Sequence, residues 1–555
     1  MAKSICISIR ICSYLKYAKH VKATMLKPQQ LPHPSYRVTN SPMLNISVAN
    51  QPLADNELMA AIDIGSNSFH LAIARLDHGE VRKVTSMSEK VQLAAGLDEN
   101  NILNAAAERR GLECLSRFVA RLDSVPPERI RIVATNALRQ AKNAEDFIKR
   151  ANAILPKPIE IIAGREEARL IHLGVSHTNA SSDKRLVMDI GGGSTEFIIG
   201  KGFEPLLTES LQMGCVAFTK KFFADGQITE KAFANAIAAA RKEMLAINGQ
   251  YQKTGWNSVI GSSGTIKAVR NVLVSKGWSD EQERITYKGV KKLEDLLITI
   301  GDVNDIELEG VKEHRKAVFP AGVAVLRAAM KVLGIDTIAY SDGALREGVM
   351  YDMLGRFASE DVRDRSVLAL NKRYSVDKKQ ARQVVRTSRH LFKQVKDELQ
   401  LTSDDADLLR RAAYLHEIGL AISHNNYHRH SAYLLENSDI PGFSQVDQKR
   451  MSQLMLSHRR KLKSDMLEQI CLIGGNQLIY LCLLLRLAVL AHHSRSEYEL
   501  PDMHLVVTDT NCWQITVSTD KKHYAFLFSD LEAEIEQFAK WGIKLTVIEA
   551  QAQAE

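Results

Sequence analysis

Residues 187–200 read VMDIGGGSTEFIIG: an apolar run ending at Asp189, three glycines, a Ser–Thr pair, then Glu196 opening a second apolar run. KRLVMDI has the length and apolar content of a buried strand, and EFIIG that of another, so the stretch reads as strand, turn, strand. Gly191, Gly192 and Gly193 remove side chains and permit positive φ, which lets backbone N–H groups approach a ligand, while Ser194 and Thr195 add hydroxyl donors. Such a turn suits phosphate. Asp189 and Glu196 would repel a bare anion, but they fit beside phosphate if Mg²⁺ bridges the two. The competing reading of one such turn is a tight hairpin whose polar residues are merely solvated.

The pattern occurs twice. Residues 60–74, AAIDIGSNSFHLAIA, again run from an apolar strand through Asp63, Gly65, Ser66, Asn67 and Ser68 into a second apolar strand. The shared core is D-I-G-x-x-S, and its two copies lie about one domain length apart. Two similar domains, each offering a phosphate-binding hairpin to a common cleft, account for this. A third loop, VIGSSGTIKAV (259–269), contains Ser263 and Gly264 and opens a predicted helix whose N-terminus can hold an anion. A fourth, YSDGALREGVMYDML, opens another helix with Ser341 and Asp342 as N-cap candidates.

Between the hairpins the chain alternates: RIRIVATNA and IEIIAG read as strands, and NAEDFIKRANAIL as a helix with Asn143 at its cap. The loop after the first of these strands carries Asn136 and Arg139, a forked cation suited to phosphate oxygens or, equally, a surface arginine. REEARLIHLGV reads as a helix with Glu166 and Glu167 in its first turn, where the macrodipole alone explains two acids.

The 555 residues allow three or four domains. Seven scattered cysteines, Cys6, Cys12, Cys114, Cys215, Cys471, Cys482 and Cys512, show no C-x-x-C spacing and indicate reduced thiols. Formal net charge is +8, but the first 58 residues hold seven basic against two acidic side chains, leaving a mildly basic body that does not call for nucleic acid. That first segment has no uninterrupted apolar h-region and reads as disordered, or as an overextended reading frame preceding a start at Met43 or Met59. Arg486 interrupts NQLIYLCLLLRLAVLAHH (476–493), which is therefore expected to be a core helix and not an integral membrane segment.

The paired hairpins and the two later loops resemble the actin and sugar-kinase superfamily. In closer detail, DIGSNSFH, ATNALRQA, IIAGREEARLI, DIGGGSTE, GSSGTIKA, SDGALREG and HRHSAYLLENSDIPGF resemble the bacterial exopolyphosphatase and guanosine pentaphosphate phosphohydrolase family. The resemblance implies an α/β fold of two actin-like, ribonuclease H-like lobes (59–180 and 181–355), an all-α HD-like domain (356–500) and a small C-terminal α/β domain (501–555). It implies a cytoplasmic enzyme, able to sit at the membrane periphery, that forms a homodimer completing a long substrate channel. The leading expectation is an exopolyphosphatase releasing orthophosphate from inorganic polyphosphate. The alternatives are a hydrolase converting pppGpp to ppGpp and an alarmone-sensing binding protein.

By the same resemblance Glu167 is the general base that aligns and deprotonates water. Gly65, Ser66, Asn67, Ser68, Arg139, Gly191, Gly192, Gly193, Ser194, Thr195, Ser263 and Gly264 hold substrate phosphates. Asp189, Glu196 and Asp63 hold Mg²⁺, with K⁺ as a stimulatory ion. In the helical part LHEIGL places His416–Glu417 where an active HD site has His-Asp, which predicts a metal-free, non-catalytic domain. Arg459, Arg460, Lys461 and Lys463 offer either a basic track for a long substrate or a solvated helix face.

Overall fold

The computed structural model describes residues 56–77, 80–179, 183–357, 361–438, 440–495, 500–518 and 524–550; the expectations about residues 1–55 lie outside them. The D-I-G stretches form hairpins at the centres of two sheets. In the first, β1 (Leu58–Ile64) pairs antiparallel with β2 (Phe69–Asp77), which pairs with β3 (Glu80–Glu89); β4 (Ile130–Ala134) and β5 (Ile159–Ile161) add in parallel on the other side. The second sheet contains β6 (Lys184–Ile190), β7 (Thr195–Lys201), β8 (Glu204–Leu211), β9 (Ser258–Ser262), β10 (Ile285–Thr286) and β11 (Thr337–Tyr340). Its order β8-β7-β6-β9-β11 repeats β3-β2-β1-β4-β5, with β10 added at the edge. Register repeats too: Asp63 stands opposite His70, and Asp189 opposite Glu196. Both central strands are covered on two faces, which is why each reads as an unbroken apolar run. This is the two-lobed actin-like architecture.

Two helices lie between the sheets. Gly164–Thr178 and Leu345–Phe357 pack together, and Leu170, Ile171, Val349 and Met350 share a core with Met59 and Ala61 of β1 and Val187 and Ile198 of the second sheet. They cross closely: a Cβ on Gly348 would lie 1.8 Å from the Leu170 carbonyl oxygen. The second of these helices, expected to close the second lobe, therefore also packs against β1 and β4 of the first. Two cap expectations are corrected. Asn143 precedes its helix but exchanges hydrogen bonds with both backbone groups of Leu103 instead of capping. Ser341 and Asp342 do not cap Leu345–Phe357, because Glu347 accepts from the Ala344 N–H and Ser341 is committed to Thr178 and Asn179.

Beyond residue 361 the chain is helical: Val362–Arg373, Lys378–Val395, Ser403–Leu415, Tyr427–Asn437, Gln445–Ser457 and Ser464–Ala491. β12 (Asp502–Asp509), β13 (Cys512–Ser518) and β14 (Lys544–Ala550) form a small sheet with the helix Ala525–Ala539. This unit shares one apolar core with the helices, since Trp513 contacts both Tyr480 and Phe538. Among the described helices, Ser464–Ala491 is the one long and apolar enough to cross a membrane. It is kinked at Gly474–Gly475, and residues Leu478 to Val489 are buried in the protein, with Arg486 neutralised by Glu534.

A buried ionic chain joins the first lobe to the helical region. Arg131 and Arg169 both donate to Asp352, Arg169 also to Glu166, and Glu166 accepts from the Gly442 N–H at 3.0 Å. Buried charges persist only when paired in this manner.

Candidate active site

The two hairpins face a single cavity of about 530 Å³. It is lined by Gly65 to Ser68 from one turn, Gly191 to Ser194 from the other, and Ser263 to Thr265 at the start of the helix Ser263–Ser275. The turns aim their amides inward for a traceable reason. In the second turn the carbonyls of Gly191, Gly192 and Gly193 accept from Cys215, Val216 and Gly214 behind them. A trans peptide points its N–H opposite its C=O, so the N–H groups of Gly192, Gly193 and Ser194 are turned toward the cavity. In the first turn Ser66 and Asn67 carbonyls accept from Ala94 and Gln92, which turns the Asn67 and Ser68 amides the same way.

Glu167 lies between the cradles. It occupies the first turn of Gly164–Thr178, is buried, lines the cavity, and accepts from both terminal nitrogens of Arg139 at 3.2 Å. Burial holds its carboxyl above the usual glutamate range; Arg139 pulls it down and Asp189 pushes it up. A carboxylate tuned upward and facing a phosphate cavity is suited to accept a proton from water near neutral pH. Glu166 points the other way, into the ionic chain described above.

Asp63 and Asp189 also line the cavity. Burial, with a smaller push from Glu167 and Asp189 against the pull of Arg346, raises Asp63 to about 7, and its Oδ1 has no hydrogen-bond partner. Burial raises Asp189 to about 6, offset by the hydrogen bond from Ser262. Among the described residues no three His, Cys, Asp or Glu side chains form a complete metal cage. Two clustered carboxylates with one orphaned oxygen nevertheless fit a hard cation whose other ligands are phosphate oxygens and water.

Three expected site residues sit elsewhere. Arg139 does not line the cavity; it bridges Glu167 and the Ile162 carbonyl. Thr195 spends its buried hydroxyl on the Met213 carbonyl at 2.6 Å. Glu196 lies behind the cavity wall, accepts from Ser210 at 2.8 Å, and is held well above the glutamate range by burial and then by Glu167 and Asp189. Conversely, His70, Lys312, Arg315 and Arg346 line the cavity without having been read from the sequence. His70 is neutral, its imidazole driven down to about 3 by burial and then by Arg346 and Arg315. Arg315 lies so close to the helix start that a Cβ on Gly264 would sit 1.8 Å from its guanidinium. The basic run VKEHRKAV and the motif SDGALREG were the available signals for these cations. Cys215 also borders the cavity, but burial raises its thiol, which argues against a thiolate nucleophile.

The helical region holds a second cluster of titratable groups. His416 and His458 donate from Nδ1 to the carbonyls of Ala413 and Met455, and their buried Nε2 atoms have no hydrogen-bond partner, with Glu417 3.9 Å from that of His416. Their rings lie 5.8 Å apart, with His428 6.4 Å from His458. Glu417 is taken up by Arg495. The basic run at Arg459 forms the connection between two helices and not a helix face, with Arg459 stacked over Tyr427 at 4.4 Å.

Duplicated lobes, paired turn cradles and a buried carboxylate between them define a two-lobed phosphate-handling protein of actin-like architecture. Residues 72–357 match the model of the Ppx/GppA phosphatase family, and residues 362–535 that of Ppx/GppA phosphatase, domain III. The chain belongs to the Ppx/GppA phosphatase family. It is 38% identical to a guanosine-5'-triphosphate,3'-diphosphate pyrophosphatase of Aeromonas hydrophila over 89% of this chain and 100% of the relative. It is 42% identical to the protein of that name from Vibrio cholerae, over 79% of this chain and 88% of the relative. Among solved structures, the Aquifex aeolicus PPX-GPPA enzyme is 28% identical, with a TM-score of 0.45, over 53% of this chain and 98% of that one.

Proposed function

We propose that this chain hydrolyses the terminal 5'-phosphoanhydride of guanosine pentaphosphate, releasing orthophosphate and the tetraphosphate. The observation that carries the hydrolytic reading is the position of Glu167, a buried carboxylate of raised pKa in the wall shared by both phosphate cradles. The choice of a guanosine substrate rests on the relatives at 38% and 42% identity, whose name specifies that nucleotide. Inorganic polyphosphate, the leading expectation from sequence, becomes the runner-up because its support does not extend below the family.

In the proposed mechanism, the amides of Asn67, Ser68, Gly192, Gly193 and Ser194 hold the phosphate chain, and Arg315 and Arg346 neutralise its charge. Glu167 aligns a water opposite the leaving phosphate and takes its proton; Arg139 orients that carboxylate and limits its pKa. Most of the rate enhancement comes from positioning and fixed electrostatics. Mg²⁺ would be held by Asp63 and Asp189, with Glu196 behind them, and when bound it supplies charge neutralisation between carboxylate and phosphate.

The test is orthophosphate release with Mg²⁺ from guanosine pentaphosphate and from long-chain polyphosphate, with Glu167→Gln as control. Release from the nucleotide that disappears in the control is expected. Release from polyphosphate alone would transfer the assignment to the runner-up, and none from either would favour a sensor.

A further inference from the structure

One part of the cavity lining differs in kind from the amide cradles. Beyond the cradles the lining passes to Tyr340, Ser341 and Asp342, together with Lys267. Glu167 and Asp189 of the lining are buried and Asp63 is half-buried, whereas the Asp342 side chain is 78% exposed. Lys267 and Tyr340 hold it below the usual aspartate range, so it keeps its charge. A charged, exposed carboxylate repels a phosphate chain; it attracts a ligand carrying N–H donors.

The group is built, not draped. Tyr340 ends β11 opposite Gly261 of β9, and the Ser341 N–H continues the pairing to the Gly261 carbonyl at 2.9 Å. The buried Ser341 hydroxyl accepts from Asn179 at 2.7 Å and from the Gly343 N–H at 3.1 Å. Asp342 is thereby presented at the carboxyl end of a parallel strand, where ligands of open α/β sheets bind. Tyr340 Oη and Lys267 Nζ both donate to Oδ1 of Asp342, at 2.8 and 2.9 Å. Tyr340 is the one phenyl ring among the described lining residues, and Lys267 sits 5.4 Å from its centroid.

An aromatic face, a carboxylate acceptor and an ammonium group beside it match the three parts of a guanosine 3'-phosphate: a base to stack, N1–H and 2-amino donors, and a phosphate. From this arrangement, and resting on the nucleotide reading above, we infer that Tyr340, Asp342 and Lys267 form a nucleoside subsite, with Asp342 accepting from the guanine edge. The subsite distinguishes a nucleotide from inorganic polyphosphate, which offers nothing to stack and no donors at this position.

Equilibrium binding to the full chain tests this without turnover. Calorimetry would compare guanosine 5'-diphosphate 3'-diphosphate with its inosine counterpart, which lacks the 2-amino group, in the wild type, Asp342→Asn and Tyr340→Ala. The wild type should prefer guanosine about tenfold. Asp342→Asn should erase that preference by weakening the guanosine compound alone, and Tyr340→Ala should weaken both about tenfold. Asp342 is exposed, so its variant should retain the wild-type melting temperature. No binding by the wild type, equal affinity for the two compounds, or equal loss of both in Asp342→Asn would overturn the subsite. Intact, guanine-selective binding without phosphate release from guanosine pentaphosphate would refute the hydrolytic reading and leave the subsite standing.

Discussion

The hairpins β1–β2 and β6–β7 have one topology and one register, yet they make different chemical environments. Where the first has Ser66, Asn67 and His70, the second has Gly192, Gly193 and Glu196. The strand beside each differs too: Asp63 pairs with Val133, which cannot donate from its side chain, and Asp189 pairs with Ser262, which does. The missing donor, together with the push of Glu167 and Asp189 on Asp63, agrees with the higher pKa of Asp63, about 7 against about 6. The repeat supplies two amide cradles; differences at a few positions make one side bulky and one side slim, and leave one carboxylate oxygen, Asp63 Oδ1, without a hydrogen-bond partner.

The largest expected effect comes from the group the hairpins share. Glu167→Gln should lower phosphate release about 10²- to 10⁴-fold while preserving binding of the tetraphosphate, checked by stopped-flow phosphate detection and calorimetry. If release persists, Glu167 is not the base and the symmetry of the two cradles around it has no catalytic meaning.

Next comes the fit of slim against bulky. A Cβ on Gly193 would lie 2.1 Å from Asn136 Oδ1 of the opposite lobe. Gly193→Ala should therefore cost about 1–3 kcal/mol of cleft closure and reduce activity correspondingly, and Asn136→Gly in the same chain should restore part of it. Kinetics of the two single variants and the double variant decide this; absence of rescue would mean that the glycine serves backbone geometry alone.

A smaller effect concerns the acid limb of the activity profile. Arg139 lowers the Glu167 pKa, so Arg139→Met leaves the base protonated to higher pH. The acid limb of kcat/KM should move upward in pH, with about tenfold less activity for each unit below it. A profile reduced in height but unmoved would return Arg139 to the role of a phosphate ligand.

The smallest effect would convert one hairpin toward the other. Ser262→Ala removes the donor to Asp189, whose carboxyl should rise from about 6 toward the about 7 of Asp63. Carbon-13 titration of the aspartate carboxyls in metal-free protein measures it, and an unmoved Asp189 would attribute the difference between the hairpins to burial and neighbouring charges.

The local sequence determined the hairpins themselves. A short apolar run, an aspartate and a glycine turn dictate strand, turn, strand, and their repetition dictated two lobes, because strand alternation and turn chemistry depend on near neighbours. The same locality explains why Gly65 to Ser68, Gly191 to Ser194, Ser263 and Gly264 could be nominated together. It also explains the misplacements. Thr195 and Ser194 are adjacent and chemically alike, but only strand pairing decides that one faces the cavity and the other the Met213 carbonyl. Tertiary structure alone turned Arg139 onto Glu167, brought His70, Arg315 and Arg346 to the cavity, and sent Glu166 to Gly442, far along the chain. Burial and charge pairing act through space, so the pKa values that suit these groups to chemistry exist only once both lobes are packed around them.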